Sequence, residues 1–254
     1  MSALNSSAWL NILHSACQAP CALHLIIDLT GCEVPVLASV NAIAPPIACH
    51  LLFTGLPEDG IKEFGPLLVR VDLDHPVHRH WLEELVLVLG TDSRLLAFGS
   101  SWPFAALVEN LKASIEARFN GKLGLLRYYD PRLFPLLFDF VLTAEQQRAW
   151  LEPMVFWSWL DRDAIPKYMR GVAGVFEASP KYSLIELSDN QLGMLGCVSD
   201  ASIAANVFRD AFPPGWGKQR RFDICYNALL EASQLGLLGE AARHAHLEHR
   251  LGGL

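Results

Sequence analysis

The sequence predicts an α/β (α+β) fold: an N-terminal lobe with a mixed sheet flanked by helices, residues 1–183, and an all-helical C-terminal lobe, residues 184–254. Three observations carry that prediction. Strand-like and helix-like segments alternate through the first two thirds, and only helical periodicity follows. Of 254 residues, 52% are apolar and 19% charged, with a mean hydropathy of +0.25, so core-forming residues are more abundant than in an ordinary domain. A chain this long buries about three quarters of its unfolded surface and needs neither disulfides nor metal to stay folded.

The elements are expected as follows. Residues 5–17 form a short helix, with Trp9, Leu10 and Leu13 on one face. Leu23 to Leu29 is a buried strand carrying one carboxylate, Asp28, near its end. Val34 to Val40, His50 to Phe53 and Pro66 to Val71 are further strands, the last entered through Gly65-Pro66. Trp81 to Leu89 reads as helix and Leu95 to Phe98 as strand. From Trp102 to Phe119 the apolar residues Phe104, Leu107, Val108, Leu111, Ile115 and Phe119 keep helical spacing. Ser100 or Ser101 is placed to cap that helix. Leu123 to Tyr129 follows as a strand, and Asp130-Pro131 opens a helix that Pro135 cuts short. Thr143 to Gln146 is a capping box, and Met154 to Trp159 is a strand. In the second lobe, Ser188 to Gln191 is another capping box, with Leu187 and Leu192 at the staple positions. That helix runs to about Phe212, where Pro213-Pro214-Gly215 stops it. Two more cover Lys218 to Leu235 and Gly239 to Arg250.

Several function classes lack their signatures. Twenty basic against 27 acidic residues leave a net charge of −7, so no nucleic-acid partner is expected, since phosphate binding needs a basic face. Val34 to Pro57 is uncharged and long enough to span a bilayer. Its central Pro45-Pro46 would leave carbonyls unpaired in lipid, so no membrane insertion is expected. The N-terminus lacks a basic segment followed by an apolar one, so the expectation is a cytoplasmic protein. Cysteines 17, 21, 32, 49, 197 and 225 include no pair of C-x2-C knuckles and read as free, mostly buried thiols. There is no phosphate-binding loop or dinucleotide fingerprint. Gly99-Ser100-Ser101-Trp102 lacks the second glycine of a nucleophile elbow. His75, His78 and His80, and His244, His246 and His249, have no metal-ligand frame and read as polar loop and helix surface. No catalytic, cofactor or metal residue is assigned.

The most informative segment is Leu126-Arg127-Tyr128-Tyr129-Asp130-Pro131-Arg132-Leu133-Phe134. Arg127 and Arg132 flank Asp130 and are placed to bridge it or to hold carbonyls at the strand end. This block resembles the RFYDPR hallmark of the type VI secretion effector-adaptor (chaperone) family. Other segments resemble that family in the same order. Leu25 to Asp28 is similar to its opening strand, with Leu29-Thr30 where Gly-Ala is usual. Leu52 to Gly55 and Phe64 to Val69 follow, and then Ser100 to Phe119 and Gln146 to Trp159. The likeness covers about residues 9–160.

The resemblance implies a non-enzymatic role in the bacterial cytoplasm. The protein would bind a type VI effector toxin and help load it onto the VgrG spike, with no cofactor. It implies that Asp28, Gly65, Pro66, Arg127, Tyr129, Asp130, Pro131 and Arg132 serve folding or contact rather than catalysis. Among the seven tryptophans, Trp216 lies in a loop between helices and is the candidate effector contact, because Trp is enriched at binding hot spots. Two competing readings are an immunity protein that neutralises a toxin, and a hydrolase using Asp28, Asp130, Ser100 or the 72–80 histidines.

Overall fold

The computed structural model describes residues 3–176, 184–237 and 239–253. The chain divides into two compact units, Met1–Arg118 with Lys122–Glu186 and Phe119–Gly121 with Leu187–Leu254. The expected lobe boundary at residue 183 falls outside the described residues.

The first unit opens with α1 (Ala3–Ala16), β1 (Ala22–Asp28), α2 (Val36–Asn41) and β2 (Ala48–Leu51). A kinked 3-10 stretch, Pro57–Phe64, leads into β3 (Pro66–Val71), α3 (Pro76–Leu89), β4 (Leu95–Ser100) and α4 (Phe104–Ala113). Next come β5 (Glu116–Phe119), β6 (Lys122–Leu125), α5 (Phe134–Leu136), a π-helical turn over Leu137–Val141, and α6 (Ala144–Leu151). Then β7 (Phe156–Leu160), β8 (Pro166–Arg170) and β9 (Ile185–Leu187) complete the strands among the described residues.

Six strands make one sheet in the order β2-β3-β1-β4-β7-β8, and β6-β5-β9 make a smaller one. The larger sheet, expected as mixed, is antiparallel at each of its junctions. Strand β1 is central and almost wholly apolar because both of its faces are covered. Leu23, Leu25 and Ile27 join Trp9 and Leu13 of α1 and Trp81, Leu85 and Leu89 of α3 in one core. His24 and Ile26 face the other side, where Phe98, Trp157, Phe134 and Trp159 pack ring on ring at 4.8–5.4 Å. Strand β8 is an edge, and its sequence (PKYMR) carries Pro and two cations, which discourage further strand pairing.

Four expectations are corrected. Val34 to Val40 is not a strand but α2: Pro35 turns the chain at the N-cap, and Val36 and Val40, four apart, both reach the core. The helix expected over Trp102 to Phe119 runs only from Phe104 to Ala113, with β5 after it, and its N-cap is Pro103, so Ser100 caps no helix terminus. Its Oγ instead donates to Pro153 O at 2.6 Å and accepts from Trp102 N–H. Between β5 and β6 stand Asn120 (φ 49°) and Gly121 (φ 75°), the pair a tight hairpin demands. The strand expected to reach Tyr129 stops at Leu125, and the chain turns beyond it, with Tyr128 N–H on Leu126 O at 2.8 Å and Asp130 N–H on Arg127 O at 3.0 Å.

The second unit holds α7 (Asp189–Val207), α8 (Lys218–Gln234) and α9 (Glu240–Leu251). The Ser188 box is present in both halves, with Ser188 Oγ accepting from Gln191 N–H and Gln191 Oε1 from Ser188 N–H. Arg243 of α9 links the three helices, donating to Asp200 (3.1 Å) and Cys197 (3.3 Å) on α7 and to Ser233 (3.2 Å) on α8. Among the described residues no helix is long and apolar enough to cross a membrane.

Candidate functional site

The hallmark residues come from three stretches of chain and meet at the end of β1. Asp28 is the last residue of that strand and pairs with Pro66, the first of β3. Its carboxylate is 6% exposed. Oδ1 accepts from Thr30 N–H at 3.0 Å, and Oδ2 accepts from Arg127 Nη2 at 2.9 Å, across 99 residues of sequence. The Arg127 guanidinium also lies 5.7 Å from the Tyr129 ring centre. Burial alone would lower the Arg127 pKa. The charge of Asp28, with Tyr129 and Asp130, more than offsets it, so Arg127 is held above its ordinary value. Its Nε is buried without a hydrogen-bond partner, a desolvated donor that the ion pair must offset.

Tyr129 is buried edge-on to Phe53 and to Tyr128. Burial pushes its phenol up to about 12, against the pull of Arg127. Gly65 is required here: a Cβ would stand 2.3 Å from the Phe53 ring. So Gly65 admits Phe53, Phe53 backs Tyr129, and Tyr129 backs the arginine that holds Asp28. Asp130 closes a local loop. Its Oδ1 accepts from the N–H and Nε of Arg132, both at 2.9 Å, and Oδ2 accepts from Arg132 Nη2 at 2.8 Å. The Asp130 carbonyl receives Leu133 and Phe134 N–H, which starts the short α5 behind Pro131.

Of the two bridges the sequence allowed to Asp130, Arg132 makes one, and Arg127 turns to Asp28 instead. Sequence reasoning missed Arg94, which donates to the carbonyls of Asp28, Thr30 and Gly31 at 2.6–3.2 Å. Its partners are backbone atoms some 64 residues away, and no side-chain pattern announces them. Thr30 was noted only as a departure from the family pattern. Its Oγ1 donates to Phe64 O at 3.0 Å and ties the 3-10 stretch to this cluster. Phe64 is 64% and Ile61 56% exposed, so the 3-10 stretch that Thr30 ties to the cluster carries exposed apolar side chains, while the cluster's own Arg127 and Arg132 are half-exposed.

Chemically, both carboxylates of the cluster are engaged by guanidinium groups. His75 and His78 accept from the N–H groups of Val77 and Asp72, and His80 pairs with Glu84 on the surface. Among the described residues no group of three or more His, Cys, Asp or Glu is arranged to hold a metal ion. In the helical unit, Trp216 is half-buried rather than fully presented. Phe212 packs against it at 6.1 Å, and the Arg220 guanidinium covers its ring at 3.7 Å. The other six tryptophans are buried.

A family model described as "Domain of unknown function (DUF4123)" matches residues 23–149, half of the chain and the span that holds the whole cluster. No curated protein and no solved structure matches the chain.

Proposed function

The chain belongs to the DUF4123 family, a family associated with type VI secretion effector adaptors, and we propose that it is such an adaptor: a non-catalytic protein that binds an effector toxin in the bacterial cytoplasm and helps load it onto the VgrG spike. The family match over residues 23–149 carries this reading. The site supports it in two ways. Its ionisable groups are spent on one another, which suits a scaffold that fixes a loop. Two arginines of the cluster, Arg127 and Arg132, are half-exposed, and the 3-10 stretch bonded to it exposes an aromatic and an aliphatic side chain, Phe64 and Ile61. Aromatic residues and Arg are the types enriched where proteins bind proteins.

The test is affinity capture with the tagged chain from its native bacterium, with the secretion system expressed, followed by mass spectrometry. Wild type is expected to recover one large toxin-like protein, with or without VgrG. Phe64→Glu leaves the fold intact, because its side chain is mostly in water, and is expected to lower effector recovery at least tenfold. Trp216→Ala is expected to lower recovery less, since Arg220 already covers one face of the ring. Equal effector recovery by wild type and Phe64→Glu removes the 3-10 rim from the contact. Failure of wild type to recover a toxin or VgrG contradicts the adaptor reading.

A further inference from the structure

The thiols expected to be mostly buried divide into two groups: Cys197 and Cys225 are buried, whereas Cys17, Cys21, Cys32 and Cys49 are only partly so. Two of the latter lie in the link between α1 and β1. Cys17 N–H prolongs the helix onto Leu13 O at 3.0 Å, and Cys21 N–H closes a turn onto Gln18 O at 2.9 Å. That turn brings Cys17 Sγ to 3.5 Å from Cys21 Sγ and 3.4 Å from the Cys21 carbonyl. Gly99 on β4 makes room for Cys21, since a Cβ there would stand 2.5 Å from Cys21 Sγ. The Cys17 S–H donated to Cys21 pulls the Cys21 thiol below its ordinary pKa, and the same bond, with burial, pushes Cys17 up. One sulfur is therefore disposed to attack, and the second is held within reach to resolve. Cys49 has no such neighbour, and burial raises its thiol.

We propose that Cys17 and Cys21 form a thiol–disulfide exchange site, which a small-molecule disulfide such as oxidised glutathione converts to an intramolecular disulfide. The Cys21 thiolate attacks one sulfur of the oxidant, breaks its S–S bond and expels one glutathione thiolate. Cys17 then loses its proton and attacks Cys21 Sγ, expelling the second glutathione thiolate. The two protein thiols give up two electrons and two protons, and the oxidant leaves as two thiols. The new bond closes the link between β1 and the helix that places Trp9 and Leu13 in the core, both 0% exposed, so oxidation restrains the unfolded chain and raises Tm. This site is independent of the adaptor reading.

The experiment uses the full-length chain, reduced, freed of reductant, and titrated with oxidised glutathione. Free thiols are blocked with N-ethylmaleimide, and the digest is read by mass spectrometry without reductant. A Cys17–Cys21 link, two hydrogens lighter than the reduced pair and reversed by dithiothreitol, is expected at roughly one tenth of the oxidant that caps Cys32 or Cys49. Cys17→Ser is expected to trap glutathione on Cys21, and Cys21→Ser to leave Cys17 free at that oxidant level. Separate glutathione caps on Cys17 and Cys21 in wild type overturn the proposal. So does alkylation of both while Cys32 and Cys49 are capped. The wild-type readout decides even where a variant fails to fold.

Discussion

Arg127 shows what a single residue does here. Removing one member of a buried ion pair commonly costs roughly 3–5 kcal/mol. Arg127 keeps 41% of its side chain in water, so Arg127→Ala should cost less, about 1–2 kcal/mol, nearly all of it from leaving the Asp28 carboxylate unanswered. Asp28→Asn removes that charge. Denaturant unfolding of Arg127→Ala, Asp28→Asn and the double variant should therefore give a double variant less damaged than the sum of the singles. Strict additivity would mean that the pair does not couple. His24 makes a second prediction. It is 0% exposed and stacks on Phe98 at 5.0 Å and on Phe104 at 6.1 Å. Burial, then the charge of Arg70, lowers its pKa from 6.5 to about 3, against a weaker pull from the Ala22 carbonyl. The unfolded chain takes up this proton near 6.5 and the folded one near 3, so the stabilising contribution is complete above 6.5 and is lost as pH falls toward 3. The slope is about 1.4 kcal/mol per pH unit. Wild type should lose about 2 kcal/mol more than His24→Phe between pH 6.5 and pH 5, measured by urea unfolding at the two values. An equal loss in both would show that His24 is protonated in the folded protein. At this scale the sequence was legible where partners are neighbours, as in Asp130 with Arg132. It was silent on Arg127 with Asp28, because 99 residues separate them and only the sheet brings them together.

At the scale of elements, local chemistry was the better guide. Both capping boxes form as read, because the residues that satisfy the first helical N–H groups lie within four positions of one another. The failures have equally local causes. Val34 to Val40 is too short for its period to separate strand from helix, and Pro35 decided the matter. Edge strand β8 has no apolar alternation, because none of its residues is buried on either face. Asn120-Gly121 makes the hairpin, but the apolar spacing of the preceding helix runs on through Ile115 and Phe119 and extends the expected helix up to it. Gly65 gives this scale its prediction. Gly65→Ala drives a methyl into the Phe53 ring at the entry to β3, and overpacking of this kind costs roughly 1–3 kcal/mol. A fall in Tm of several degrees, with near-ultraviolet dichroism changed at the Phe53–Tyr129 contact, is the expected result. An unchanged Tm would show that Phe53 turns aside freely.

For the molecule as a whole, composition and periodicity announced a sheet-bearing N-terminal unit and a helical one, and both are present. The hallmark block, read as a marker of family, proves to be the joint where β1, the start of β3 and the 126–132 loop are tied together. Its exposed rim, the part that bears on function, was not legible. Phe64 and Ile61 sit in a stretch for which the sequence predicts no element, and it is the 3-10 turns that place them outward. The adaptor reading is tested most directly by deleting the chain's gene in its native bacterium and measuring secreted effector and secreted VgrG together, with the gene restored as control. An adaptor predicts that the effector disappears from the secreted fraction while VgrG is still exported, and that the cells grow normally. Undiminished effector export, or self-poisoning relieved only by restoring the gene, would contradict the account, the latter in favour of an immunity protein.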